Sequence, residues 1–367
     1  GRDRRPPLQL LMTCKDLVKL ARQGGPGFLQ IAVTNACNAY CRFCSFPQVP
    51  AADRHMADPA RLNIGFQAMQ RAGIRYVCLT GGEPLLYPDL LECLGQARAL
   101  GFQTLLVTNS LLLTPTLIQG LRDAGLQTLI ISMDAASAQA HDCHRGLPGL
   151  TAHIKEVVPY AHEAGIRTVA SVTLSRLIDD LDALMKFLRE LGFSLVTFSY
   201  PVTRLNSSYL GFSDSSLVDY SPRELARLFA EILELKERSP VTILNPRLGL
   251  KEAQRQIQGL PSRFPCLAGF KYFFADWNLE VYRCHFLAET LGSLEEIDRF
   301  APIRDSCNSC SIDCYRDPSV FQYVAVSLAD TLAAWRQGNI LQGFRSLLNT
   351  TNVLSLSALM EGRHWVQ

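Results

Sequence analysis

One join recurs five times along this 367-residue chain and restricts its fold more than any other feature. A helix-like segment ends in a small or aliphatic residue, a glycine follows, and an apolar residue opens a strand. The joins are Ala72-Gly73-Ile74, Leu100-Gly101-Phe102, Ala124-Gly125-Leu126, Ala164-Gly165-Ile166 and Leu191-Gly192-Phe193. Glycine suits the left-handed position just past a helix end, where a side chain is strained. We read these glycines as helix caps rather than phosphate-binding turns. The runs Tyr76–Thr80, Thr104–Thr108, Thr128–Met133, Thr168–Thr173 and Leu195–Tyr200 that follow are apolar almost throughout. Such strands, alternating with helices, predict a parallel sheet covered by helices.

Phe28–Thr34 adds an earlier strand, making six β/α units. Eight close a standard barrel, so six predict an α/β fold of partial (β/α)6 TIM-barrel type, open on one side. Chemistry in such folds sits in the loops after the carboxyl ends of the strands. The rhythm breaks near residue 205. The expected organisation is a helical extension over 1–27, a core over 28–205, and a helical connection over 206–261. A small Cys- and aromatic-rich module over 262–316 and C-terminal helices over 317–367 follow. Within the connection, Pro222–Arg238 reads as a helix capped by Ser221.

Composition limits the partners. Thirty-six basic and 34 acidic side chains leave a net charge of +2, which gives no electrostatic case for nucleic acid. No apolar run reaches the roughly 18 residues of a membrane-spanning helix. No charged-then-apolar leader opens the sequence, so a cytoplasmic setting with reduced thiols is expected. There, twelve cysteines point to metal.

Three of them fall within Cys37-Asn38-Ala39-Tyr40-Cys41-Arg42-Phe43-Cys44, directly after the first strand. A four-iron cluster takes four ligands, and three local thiolates leave one iron open for an exogenous ligand. The alternative is structural zinc, which needs a fourth protein ligand such as His55 or Cys78.

This C-x3-C-x2-C spacing, with aromatic Phe43 before the last cysteine, resembles the signature of the radical S-adenosylmethionine superfamily. The resemblance spans about residues 28–200, and that superfamily's fold is a partial (β/α)6 barrel. It implies a [4Fe-4S] cluster on Cys37, Cys41 and Cys44, with S-adenosylmethionine on the open iron. Gly81-Gly82-Glu83-Pro84, after the second strand, matches the family motif that binds the methionyl amino group. Asn109, Ser132 and Asp134 close the third and fourth strands, where family members contact the ribose, methionyl carboxylate or substrate. The same residues equally suit helix caps or Asx turns. Arg145 matches an arginine that holds the methionyl carboxylate in similar proteins, and reads equally as an exposed loop residue.

A second group comprises Cys266, Cys284, Cys307, Cys310 and Cys314. Phe270–Arg283 reads as a β-hairpin turning at Asp276–Asn278, which brings Cys266 near Cys284. With Cys307 and Cys310, four thiolates close a second cluster or, alternatively, a zinc site. All five, Cys314 included, are candidate ligands for four places, so one is left over, and Cys314 is the first choice as the spare. The layout resembles the shortened auxiliary-cluster domain (SPASM or twitch) of that superfamily and implies an auxiliary [4Fe-4S] cluster. Cys14, Cys78, Cys93 and Cys143 read as packing residues. His141 and His144 flank the loop after the fourth strand, where facing the active site is the alternative, but with His153 and His162 they read as surface histidines.

The resemblance implies reductive cleavage of S-adenosylmethionine to a 5′-deoxyadenosyl radical that abstracts hydrogen from a small biosynthetic metabolite. It also implies an electron donor such as flavodoxin or ferredoxin. Three alternatives stand beside it. One is peptide maturation. Another is adenosyl addition to a lipid-like alkene, suggested by local similarity of Cys307–Ser319 and Phe198–Pro201 to adenosylhopane synthases. The third, from a different class, is a zinc-binding scaffold.

Overall fold

In the computed structural model, residues 22–200 and 215–362 are described. The expected extension over 1–27 falls largely outside them, as do Cys14 and residues 201–214. Strands and helices run in the order β1 (Gly27–Thr34), α1 (Pro59–Arg71), β2 (Ile74–Gly81), α2 (Leu90–Ala99), β3 (Gln103–Thr108), α3 (Pro115–Ala124) and β4 (Thr128–Met133). There follow α4 (Ala138–Arg145), α5 (Leu150–Glu163), β5 (Arg167–Thr173), α6 (Leu181–Glu190), β6 (Leu195–Ser199), α7 (Pro222–Arg238), β7 (Thr242–Ile243) and α8 (Arg247–Ile257). The chain continues as β8 (Tyr272–Ala275), β9 (Glu280–Tyr282), β10 (Thr290–Ser293), α9 (Asp313–Arg336), α10 (Ile340–Leu347) and α11 (Thr350–Glu361).

All ten strands share one sheet in the order β10-β9-β8-β1-β2-β3-β4-β5-β6-β7. Strands β1 to β7 pair in parallel, and β7 and β10 are its edges, so the barrel is open as expected. The five joining glycines all adopt left-handed φ, between 77° and 109°. The helix-facing sides of the strands build one core, in which Leu29, Ile31, Leu106, Leu129, Ile131, Val196 and Phe198 are fully buried. No helix among the described residues is long and apolar enough to cross a membrane.

Two features were not legible in the pattern. Strand β8 pairs in parallel with β1, Phe28 opposite Tyr272 and Ile31 opposite Ala275, so the hairpin extends the barrel sheet. Its turn is held by Asp276, whose Oδ1 accepts from the amides of Asn278 and Glu280. Helix α9 also begins five residues before Pro318. Its first turn reaches the far side of the sheet, where Asp313 Oδ1 accepts from Tyr200 N at 3.1 Å. Asn245 Nδ2 donates to Asp317 Oδ2 at 3.0 Å and to the Phe198 carbonyl at 2.9 Å.

Helix α1 packs so closely on the turn Leu294–Arg299 that a Cβ on Gly65 would sit 2.6 Å from Leu294 Cδ2. Gly65→Ala gains about 1 kcal/mol of helix propensity. Crowding a filled core costs about 1–3 kcal/mol. Leu294 is fully buried and cannot swing clear. The variant is expected to unfold at a lower temperature by calorimetry; a raised Tm means that the turn yields.

Candidate active site

The site is assembled on a stretch of backbone, Thr34–Ala36, between β1 and the first cysteine. Gly82 N donates to the Thr34 carbonyl and Glu83 N to the Ala36 carbonyl, each at 2.8 Å. A Cβ on Gly81 or Gly82 would overlap the carbonyl oxygens of Thr34 or Ala36. Both glycines are therefore required where β2 meets the cysteine loop, whatever else binds there. The opposite flank is pinned as well. Thr34 Oγ1 donates to the His55 carbonyl at 2.8 Å, and Asn35 accepts from His55 N at 2.6 Å and donates to the Asp53 carbonyl at 2.9 Å.

Glu83 is buried and its carboxylate is already engaged. Oε1 accepts from Thr108 Oγ1 at 2.6 Å and from Leu85 N at 3.0 Å, and Oε2 from Asn109 N at 2.8 Å. Burial raises its pKa, and these donors oppose the shift. Glu83 thus ties the end of β2 to that of β3 and caps the turn Pro84–Leu86. Asn109 extends the chain of bonds to the cysteine loop, donating through Nδ2 to Asn38 Oδ1 at 2.7 Å.

On the other side lies a buried charged group. Asp134, just past β4, has its Oδ2 2.7 Å from Arg145 Nε, 3.8 Å from His144 Nε2 and 3.9 Å from His141 Nδ1. The Arg145 guanidinium holds the Asp134 carboxyl below its usual range despite burial. His141 Nδ1 accepts from Asp134 N at 3.2 Å, and burial lowers its pKa to about 4, so it is a neutral imidazole. The His144 ring lies 4.5 Å from that of Phe43, and Tyr40 N donates to the Arg145 carbonyl at 2.7 Å. Helix α4 is thereby clamped to both residues that flank Cys41 and Arg42.

His141 and His144 correct the sequence reading: both are buried, not on the surface. The missed signal is their spacing with Arg145, i, i+3 and i+4 on one helix face after a strand ending in Asp134. Arg145 is likewise buried rather than an exposed loop residue. Cys78 and Cys93 are packed inside as expected, but Cys143 is exposed. Ser132 is half-buried, opposite Ser171 of β5.

Cys41 is buried, and Cys37 and Cys44 are partly so. Burial pushes the Cys37 thiol up to about 11 and that of Cys44 to about 12, with Arg145 opposing both. Ala39 N lies 3.4 Å from Cys37 Sγ. Among the described residues, no three His, Cys, Asp or Glu side chains are grouped as a single metal ion requires.

The second cysteine group lies at the other end of the hairpin. Cys266 and Cys284 share a small apolar cluster with Tyr272, Ile312 and Tyr315, against which Cys307 and Cys310 pack. Cys310 is pushed up to about 12 by burial, with Cys266 and Cys284 adding to the rise. Cys314 packs against the same cluster and also lies near Gln30, Cys78 and Asp313.

Gly82→Ala separates the motif's scaffolding role from any ligand contact. Its Cβ displaces the Ala36 carbonyl, so the variant should take up less iron on anaerobic reconstitution while the far-ultraviolet dichroism of the barrel persists. Wild-type iron content would show that the cysteine loop does not depend on this contact.

A family model described as the Radical SAM superfamily matches residues 31–188. Over 295 residues the chain is 26% identical to the AdoMet-dependent heme synthase of Methanosarcina barkeri, covering 76% of this chain and 82% of that one. It spans only 39% and 42% of two further proteins of that name. Among solved structures, Streptococcus suis SuiB bound to S-adenosylmethionine is similar with a TM-score of 0.57 at 15% identity, over 77% of this chain and 67% of that one. Native anSMEcpe with bound AdoMet and Cp18Cys peptide is similar with a TM-score of 0.53 at 14% identity, over 92% and 99%. Identities this low speak for the fold alone. The motif, the barrel and the matched model agree that residues 31–188 form a radical SAM domain.

Proposed function

We propose that this enzyme cleaves S-adenosylmethionine reductively at a [4Fe-4S] cluster on Cys37, Cys41 and Cys44 and removes hydrogen from a small, largely neutral metabolite. The observation that carries this reading is the cysteine loop itself. It offers three thiols, is bonded through its backbone to Gly82 and Glu83, and faces the Arg145 guanidinium. A cluster held by Cys37, Cys41 and Cys44 would supply one electron for reductive cleavage of the carbon–sulfur bond of S-adenosylmethionine, with methionine as the other product.

The chain's own residues position and enclose. Arg145, oriented by Asp134, presents a forked cation suited to the methionyl carboxylate. Gly81, Gly82, Glu83 and Pro84 shape the wall at the end of β2, with Asn109, Ser132 and Asp134 on the next two strands. Phe43 seals the loop against His144.

The lumen supports the substrate class. Along β3, β4 and β6, burial alternates strictly, and the residues not packed under helices stay half-exposed. Leu105, Val107, Ile130, Ser132, Ser171 and Thr197 thus lie on the side away from the helices and keep partial exposure. Hydroxyls and aliphatic groups suit a neutral, partly apolar molecule. A relative matched over most of both chains is named an AdoMet-dependent heme synthase.

In this reading four of Cys266, Cys284, Cys307, Cys310 and Cys314 hold an auxiliary [4Fe-4S] cluster, with Cys314 taken as the spare. This group adjoins Phe28, at the start of β1, whereas the first triad follows the end of β1. Six residue steps of strand separate these levels, about 20 Å. A fully ligated cluster there exchanges electrons rather than touching substrate, and a flavodoxin or ferredoxin is the class of external donor.

Anaerobic purification should give a brown protein with about eight irons per chain, four for each cluster. Cys41→Ala should retain about half of that iron and lose 5′-deoxyadenosine formation, followed by mass spectrometry. Continued formation in the variant overturns the assignment, and a colourless protein with stoichiometric zinc favours a scaffold.

A further inference from the structure

We propose that the side-chain amide of Asn38 donates a hydrogen bond to a sulfur of the cluster on Cys37, Cys41 and Cys44 and so raises its reduction potential; this rests on the function proposed above. The backbone N–H of Leu111 is a group whose polarity is fixed. It donates to Asn109 Oδ1 at 3.0 Å, which settles the orientation of the Asn109 amide. The nitrogen of that amide therefore meets Asn38, donating to its Oδ1 at 2.7 Å. With the Asn38 oxygen committed to β3, its Nδ2 is directed to the other side.

That Nδ2 is buried and has no hydrogen-bond partner among the described residues. Buried amide donors are nearly always satisfied, so an acceptor is missing from the bare chain. The Glu83 carboxylate nearby does not supply it, being already engaged by Thr108, Leu85 and Asn109. Asn38 lies within the cysteine loop, between Cys37 and Cys41, and the next residue already turns its amide to Cys37 Sγ. The sulfides and thiolates of a bound cluster are the acceptors this loop is built to enclose. A donor to cluster sulfur favours the reduced, more negative form. The strut from Asn109 fixes that donor, linking β3 to the potential of a cluster held after β1.

Redox titration of the anaerobically reconstituted enzyme, followed by electron paramagnetic resonance without S-adenosylmethionine, tests this. The relevant signal is the one whose g values move when S-adenosylmethionine is added. Asn38→Leu, close in shape but with no donor, should shift its midpoint to more negative potential at unchanged iron content. It should also lose an exchangeable-proton coupling seen in the wild type. Asn109→Ala removes the strut but keeps the amide, and should shift the midpoint less. Should Asn38→Leu block iron uptake, the smaller Asn38→Ala carries the same comparison. An unchanged midpoint overturns the proposal. A change confined to S-adenosylmethionine affinity also overturns it, by assigning the donor to the cofactor carboxylate. Absence of any such signal in the wild type removes the cluster itself, a result distinct from an unchanged midpoint.

Discussion

Contact between two backbones, Thr34–Ala36 and Gly81–Glu83, is the constraint on which the site depends. Two N–H···O bonds at 2.8 Å bring them together, and neither segment tolerates a side chain on the glycines between them. Because β1 and β2 are adjacent and parallel, their carboxyl ends emerge side by side. The cysteine loop is thus placed by the sheet before any metal arrives. Glu83 transmits the same placement to β3 through Thr108 and Asn109, and Arg145 returns it from α4 through Tyr40.

The core of this arrangement was legible in the sequence because its determinants are local. A glycine that must take left-handed φ marks each helix end, and a largely apolar run marks each strand, buried on its helix-facing side. Six strands and the helix Pro222–Arg238 follow from those signals alone, as does the hairpin turn at Asp276. Long-range pairing carries no such signal. Nothing local states that Tyr272 will lie beside Phe28, or that the two-residue strand β7 will pair with β6. The burial of His141 and His144 was missed for a related reason. A histidine-rich helix reads as polar, yet one face meets the Asp134 carboxylate and an aromatic ring, and these make burial tolerable.

Glu83 shows how a motif residue serves two levels at once. A carboxylate after two glycines invites a purely ligand-directed reading, but all three of its hydrogen bonds run to its own chain. Structural and binding demands coincide here, since the bonds that tie β3 to β2 also fix the rim of the lumen. Asp134 repeats the theme: Arg145 is aimed because an anion behind it neutralises the cost of burying its charge.

The hairpin β8–β9 gives the two cysteine groups a common frame. Its upper half, Phe274 and Tyr282 with Trp277, packs on Cys37, Cys44 and Phe46. Its base carries Cys266 and Cys284 into the cluster around Tyr315. His285 links the two levels, with its ring 4.5 Å from Phe274 and 5.4 Å from Tyr315. Since β8 is bonded to β1 along its length, a shift of either cysteine group must strain the strand that carries the other. The distance between the groups is therefore set by strand length, the stiffest ruler the fold provides. Cys314, in the first turn of α9, packs on that same cluster while also reaching Gln30 and Cys78, so the fifth thiol joins the base of the hairpin to the barrel strands.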